Sequence, residues 1–200
     1  LDAERDTYSL PQEHAACLTR VATPGNMAIA AQFVAVLGSV EDRIVECFQN
    51  GGGVPYAEYK RFHDVMAEES GQTIVSGLLE GVLPVAPGLV DRLRSGARVL
   101  DVGCGSGRAI NRMAIAFPKS DFVGYDLCPD TIAAARAEQR RLGLNNVRFE
   151  VRDVAAMDDR GAFDLITTFD AIHDQAHPAR VLRNIRTALA PGGVYLAQDI

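Results

Sequence analysis

Residues 99–109 read VLDVGCGSGRA. Apolar positions run into an acid, Asp101, and then Gly103, Gly105 and Gly107 alternate with small residues. Glycines spaced in this way let a backbone turn sharply and approach a ligand without Cβ clashes. The helix expected from about Ser106 offers unpaired N–H groups to an anion or a carboxylate. A second apolar run, FVGYDL, ends on a second acid, Asp126, 25 residues beyond Asp101. The stretch therefore reads as strand, glycine turn, helix and strand, with an acid near each strand end.

Toward the C-terminus the same alternation continues. PDTIAAARAEQRRLG predicts a helix stopped at Gly143, NVRFEVRD and FDLITTFD predict strands, HPARVLRNIRTALA predicts a helix before PGG, and VYLAQDI predicts a further strand. The order is β-α-β-α-β-β-α-β. Its strands are mostly apolar on both faces, as a parallel sheet covered by helices requires. The fold class expected is α/β: a Rossmann-like, doubly wound parallel sheet with its ligand at the C-terminal ends of the strands.

Toward the N-terminus the texture is helical, with no convincing strand. LPQEHAACLTRV follows Ser9, a capping residue. NMAIAAQFVAVLG is almost wholly apolar and predicts a buried helix, and VEDRIVECF runs to a stop at NGGG. PYAEYKRFHDVMAEESG opens on Pro55 and places Tyr59, Phe62, Val65 and Met66 on one face. TIVSGLLEGVL is another short apolar helix, and PVAPGLVDRLRSG reads as the passage between halves. The domains expected are 1–96, a helical segment for dimerisation or for covering a substrate, and 97–200, the ligand-binding domain.

At 200 residues, 48% apolar and 23% charged, the composition is that of an ordinary globular chain. A net charge of -6 argues against a general nucleic-acid surface. No apolar run reaches the length of a membrane span, and LDAERDTYSL lacks the basic and apolar regions of a signal peptide. Cys17, Cys47, Cys104 and Cys128 are scattered without a CxxC pair and read as reduced thiols, which points to the cytoplasm. The start at Leu1 and the strand-like end YLAQDI read as those of a piece of a longer protein.

The glycine spacing narrows the ligand. A dinucleotide site wants G-x-G-x-x-G, and here Arg108 stands where that pattern needs glycine. A carboxylate at Asp101 repels a pyrophosphate but suits a ligand carrying an ammonium and a sulfonium. S-adenosylmethionine has both charges. It also has a ribose, whose hydroxyls Asp126 can bind, and an adenine amino group that Asp153 can accept from.

Taken together, DVGCGSG, GYDL, VRD, FDLITTFD and LAPGGVYL resemble the motif series of class I S-adenosylmethionine-dependent methyltransferases, over roughly residues 97–200. The resemblance implies that Asp101 and Gly103 border the methionine moiety, with Cys104 and Gly105 forming the loop beneath it. It implies Asp126 on the ribose, Leu127 against the adenine, Asp153 and Val154 flanking the ring, and Phe169 near the transferring methyl. GGGVPY upstream and FDAIHDQAHP downstream are similar to a bacterial subgroup with mycobacterial members. In that subgroup a winged-helix, dimer-forming segment precedes the catalytic domain. DTYSLP would then be the tail of that wing, and the full-length protein a homodimer. The class I fold has seven strands, of which five are legible here, leaving strands six and seven missing. The activity implied is methyl transfer to a small-molecule acceptor through an oxygen or nitrogen nucleophile, without direct nucleic-acid or membrane binding. The alternative is an S-adenosylmethionine-binding sensor domain of a winged-helix regulator. A nicotinamide-dependent oxidoreductase is disfavoured by the glycine spacing.

Other residues carry two readings each. His173, just past the fourth strand, is a candidate general base for an acceptor hydroxyl or a loop histidine that orders backbone. Asp170 is a candidate catalytic residue beside it. Asp170 and Asp199 end strands four and five, where metal-dependent catechol-type enzymes place carboxylates, and His173 with His177 has helical metal-ligand spacing. Pro178 argues against that pairing, and no metal is expected. Asp153 reads also as a helix N-cap. Cys104 is either a reactive thiol or simply a small residue. GGGVPYAEY is either a helix stop and start or a hinged lid closing Tyr56 or Tyr59 over the donor. FDAI stands where amino-methylating enzymes of DNA carry an Asn or Asp, two prolines and an aromatic.

Overall fold

The computed structural model describes residues 2, 4–22 and 25–199, and the chain forms two compact units, Leu1–Ser76 and Gly77–Ile200. The first is helical: α1 (Gln12–Leu18), α2 (Met27–Gly38), α3 (Glu41–Asn50) and α4 (Phe62–Gly77), the last reaching the division. Ser9 does not cap α1. Its N-cap position is taken by Pro11, with no side-chain cap. Asn26 caps α2 through its side chain, which accepts from the Ala28 N–H. α2 is less buried than its sequence suggests: Ile29 and Val36 are covered, while Val34 is 76% exposed. Those two buried residues lie two turns apart, so one stripe is packed although the helix is apolar all round. α3 ends as expected, with Gly51 at φ 75. Pro55 opens only a single 3-10 turn, Tyr56–Glu58, and α4 begins after Arg61, which sits at φ 62. The stretch expected as the tail of a wing has one antiparallel bridge, Asp2 to Thr7, and no strand.

In the second unit, α4 is followed by a π turn (Leu78–Val82), a 3-10 turn (Leu83–Val85) and α5 (Leu89–Ser95). Residues 73–83 were expected as a short apolar helix and residues 84–96 as a passage between domains. Instead Leu78, Leu83, Leu89 and Leu93 are buried in the same core as the sheet. That is why the compact units divide at Ser76/Gly77 rather than at 96/97.

The sheet holds β1 (Arg98–Val102), β2 (Asp121–Asp126), β3 (Val147–Val151), β4 (Phe163–Phe169) and β5 (Leu189–Gln198). Their order is β3-β2-β1-β4-β5, all parallel. α6 (Arg108–Ala116), α7 (Pro129–Leu142) and α8 (Pro178–Ala188) connect β1 to β2, β2 to β3 and β4 to β5. The α/β doubly wound arrangement read from the sequence is the one observed. β5 opens earlier than expected, absorbing LAPGG, with an irregular register opposite Phe163 and Leu165. Ile200 lies outside the described residues.

Adjacent strand residues face opposite layers. Val99, Phe122 and Leu165 enter one core with α5, α6 and α7, while Leu100, Val123 and Ile166 enter the other with Val181 and Ile185 of α8. This explains strands that are apolar at nearly every position. The chain winds outward from β1 in both directions, so the loops after β1 and β4 diverge and leave a crevice at the strand C-termini. Among the described residues, no single helix is long and apolar enough to cross a membrane.

Candidate methyl-donor site

The glycine loop hangs from β2. Gly103 and Cys104 donate their N–H groups to the Tyr125 carbonyl at 2.8 and 3.1 Å. Two glycines are required by their surroundings. At Gly103 (φ 74) a Cβ would stand 2.6 Å from that of Ala171, in the loop after β4, and at Gly107 (φ 74) it would stand 2.6 Å from the Phe149 ring. The loop is thus packed against its neighbours at both ends, while a Cβ at Gly105 would meet nothing within 4 Å.

Asp126 organises this loop. Its Oδ2 accepts from the Gly105 N–H at 2.8 Å, and its Oδ1 accepts from the Cys128 N–H at 2.8 Å and the Thr131 hydroxyl at 3.2 Å. A carboxylate has about four acceptor positions, so capacity remains for a ligand hydroxyl. Asp101 lies on β1 opposite Thr167 of β4 and is 2% exposed. The Thr167 hydroxyl donates to its Oδ1 at 2.7 Å. Burial pushes the Asp101 carboxyl up to about 7; the Thr167 hydrogen bond opposes this and the Asp126 charge adds to it. Burial likewise raises the Cys104 thiol well above its ordinary value. A Cβ at Gly124 would stand 2.7 Å from the Cys104 Sγ, so the thiol is packed closely against β2.

Asp153 caps the one-turn helix Val154–Ala156, accepting from the Ala155 N–H at 2.8 Å. Val154 is buried and Leu127 is 69% exposed. Between the ends of β2 and β3, Arg152 lies over the Tyr125 ring at 4.7 Å and donates to its hydroxyl at 2.8 Å. This latch, with Thr167, was not anticipated. Both depend on strand register, which the sequence does not display. The Asn111 amide, one turn into α6, is buried with neither its nitrogen nor its oxygen hydrogen-bonded.

At the end of β4, Phe169 packs on the first core, and Asp170 adopts φ 49 while its N–H donates to Gln198 at 2.9 Å. His173 follows. Its Nδ1 bonds Asp199 and its Nε2 stands 3.5 Å from Asp174. α8 begins at Pro178, so His173 and His177 do not share a helical face. Among the described residues, no group of three or more His, Cys, Asp or Glu is arranged to hold a metal ion. The structure thus brings Asp101, Gly103, Cys104, Gly105 and Asp126 together. Tyr56 and Tyr59 belong to the first unit, where both pack on Phe62 with ring centroids 5.4 and 5.7 Å away.

A doubly wound parallel sheet with this loop between two strand-end acids defines a class I methyltransferase-type domain. Residues 93–200 match the family model described as a methyltransferase domain. That is more than half of the chain, and the chain belongs to this family of S-adenosylmethionine-dependent methyltransferases. It is 34% identical over 106 residues to a trans-aconitate 2-methyltransferase of Methylobacterium nodulans, covering 53% of this chain and 39% of that one. It is also 34% identical over 107 residues to a ubiquinone biosynthesis O-methyltransferase of Cereibacter sphaeroides, covering 52% and 42%. The chain spans about two fifths of the length of these curated relatives. Among solved structures, PKMT2 of Rickettsia typhi in complex with AdoHcy is similar with a TM-score of 0.50 and 25% identity, over 62% of this chain and 24% of that one.

Proposed function

We propose that this chain is the donor-binding part of an S-adenosylmethionine-dependent methyltransferase acting on a small-molecule acceptor through an oxygen or nitrogen atom. The observation that carries the reading is the pairing of Asp101 and Asp126 around a glycine loop whose Gly105 faces open space. These residues fit the donor: a buried carboxylate for an ammonium, and a strand-end carboxylate with remaining acceptor capacity for a ribose. Asp153, Val154 and Leu127 are assigned to the adenine, and Phe169 to the methyl end. When bound, S-adenosylmethionine supplies an already activated methyl group, so the protein's task is alignment and exclusion of water.

The relatives whose names specify an acceptor act on small molecules, which supports the acceptor class. Four free cysteines among the described residues support a reducing compartment, hence a cytoplasmic location. Tyr56 and Tyr59 are kept as candidate lid residues. The test is transfer of label from methyl-tritiated S-adenosylmethionine into a library of small acceptors. Labelled product with the unaltered chain, lost in Asp126→Ala, is expected. Donor binding without transfer to any acceptor would favour a sensor domain instead.

A further inference from the structure

We propose that Arg152 is a positioning residue for the methyl donor: it grips the end of β2 from the side of β3, and so fixes Tyr125 and Asp126, the two residues that hold the glycine loop. The proposal rests on the methyl-donor reading and adds to it a residue that acts through others.

The glycine loop has two anchors, and both lie at the end of β2. The Tyr125 carbonyl accepts from the Gly103 and Cys104 N–H groups, and Asp126 Oδ2 accepts from the Gly105 N–H. The pairing of β2 with β3 ends here, with Asp126 opposite Val151. Arg152 is the next residue along the chain, and it reaches both anchors. Its N–H donates to the Asp126 carbonyl at 2.8 Å. Its guanidinium carbon lies 4.7 Å from the centroid of the Tyr125 ring, and Nη1 donates to the Tyr125 hydroxyl at 2.8 Å. One residue thus holds the backbone of one anchor and the side chain of the other.

The guanidinium is itself held. Nη2 pairs with Asp158 at 2.6 Å and Nη1 with Asp159 at 3.0 Å, both in the loop after β3. A planar fork of five donors can lie on a ring and serve a hydroxyl and two carboxylates together, which a lysine ammonium cannot. Part-exposed ion pairs contribute little to stability, so what these contacts supply is geometry. Hydrogen bonds weaken steeply with misalignment. A small tilt at the end of β2 would carry the Tyr125 carbonyl and the Asp126 carboxylate together away from three loop N–H groups. A ligand site is only as precise as the residues that support it.

The experiment has two readouts. The first is carbon-13 NMR of the Tyr125 Cζ across alkaline pH, with Tyr125→Phe identifying the resonance. Burial, with Asp159 and Glu150, raises the Tyr125 hydroxyl above its ordinary value, and Arg152 opposes them. In Arg152→Met the titration is therefore expected at higher pH than in the unaltered chain; an unchanged midpoint overturns the latch. The second is calorimetric titration with S-adenosylhomocysteine, below the melting range of each variant. Affinity is expected to fall roughly 10-fold in Arg152→Met, and by less in Arg152→Lys, which keeps the charge and loses the fork. Arg92→Met is the control. It removes a part-buried ion pair of the same kind, with Asp164 near the start of β4, at the opposite end of the sheet, and is expected to lower stability with affinity unchanged. Equal affinity in the unaltered chain and Arg152→Met, or the same loss in Arg92→Met, overturns the positioning role. If Arg152→Met does not fold, Arg152→Lys and Tyr125→Phe decide: weaker binding is expected in each, and unaltered affinity in both overturns the proposal. No binding by the unaltered chain removes the donor reading and this proposal with it, and is told apart from a failed latch by the NMR result, which needs no donor.

Discussion

Asp101 is the residue where stability and function oppose each other. The native state keeps its proton up to about pH 7, whereas the unfolded chain releases it near 3.8. Between those values the native state binds more protons, so this residue's contribution to stability falls as pH rises. Asp101→Asn keeps an acceptor for Thr167 and removes the buried charge. It is expected to stabilise the chain by up to about 4 kcal/mol near pH 8 and by almost nothing below pH 4, measured by urea unfolding. The same variant should bind S-adenosylhomocysteine more weakly, since the ligand's ammonium loses its partner. In the unaltered chain, affinity for that ligand should increase with pH up to about 7 and then level off, with a proton released on binding. Calorimetry in two buffers of different ionisation enthalpy counts that proton. The acids themselves were legible because they close apolar runs in the sequence. Thr167 was harder to place, because a strand's partners and register come from tertiary pairing and leave no local signal.

At the scale of elements, the glycine loop is held by contacts that leave no room for a side chain. Gly107→Ala puts a Cβ at φ 74 and against the Phe149 ring. Strain and overpacking together should cost about 2–4 kcal/mol, read as a lower urea midpoint with an unchanged slope. A matched change at Gly143, which ends α7 at φ 67 with open space around it, should cost less, about 1 kcal/mol. Elements with a strong period were legible: α6, α7 and α8 lie where the pattern put them. α2 was harder, because a helix apolar on all sides gives no period to say which stripe is covered. The caps of short helices were also missed, since Ser9 had no packed helix start to serve.

For the whole molecule, the informative element is the one misread as a linker. PVAPGLVDRLRSG looked like a boundary because it is rich in proline and glycine, yet its leucines and those just before it complete the core beneath α6 and α7. Removing a buried leucine typically costs about 2–5 kcal/mol. Loss of Leu78, Leu83, Leu89 and Leu93 together, about 8–20 kcal/mol on that scale, is as large as the roughly 5–15 kcal/mol available to a domain. Residues 77–200 expressed alone should therefore melt cooperatively by circular dichroism, while residues 97–200 should not. The fold class followed from the alternation of elements, but the domain boundary did not, because punctuation by proline and glycine marks turns and not the edge of a core.

The most direct measurement is calorimetric titration of S-adenosylhomocysteine into the chain and into Asp126→Ala. Binding in the micromolar range, weakened by roughly 1 to 3 kcal/mol in the variant as expected for hydrogen bonds to a charged group, supports a donor site built on the glycine loop and its two acids. No binding by the unaltered chain, or equal binding by both, would contradict it.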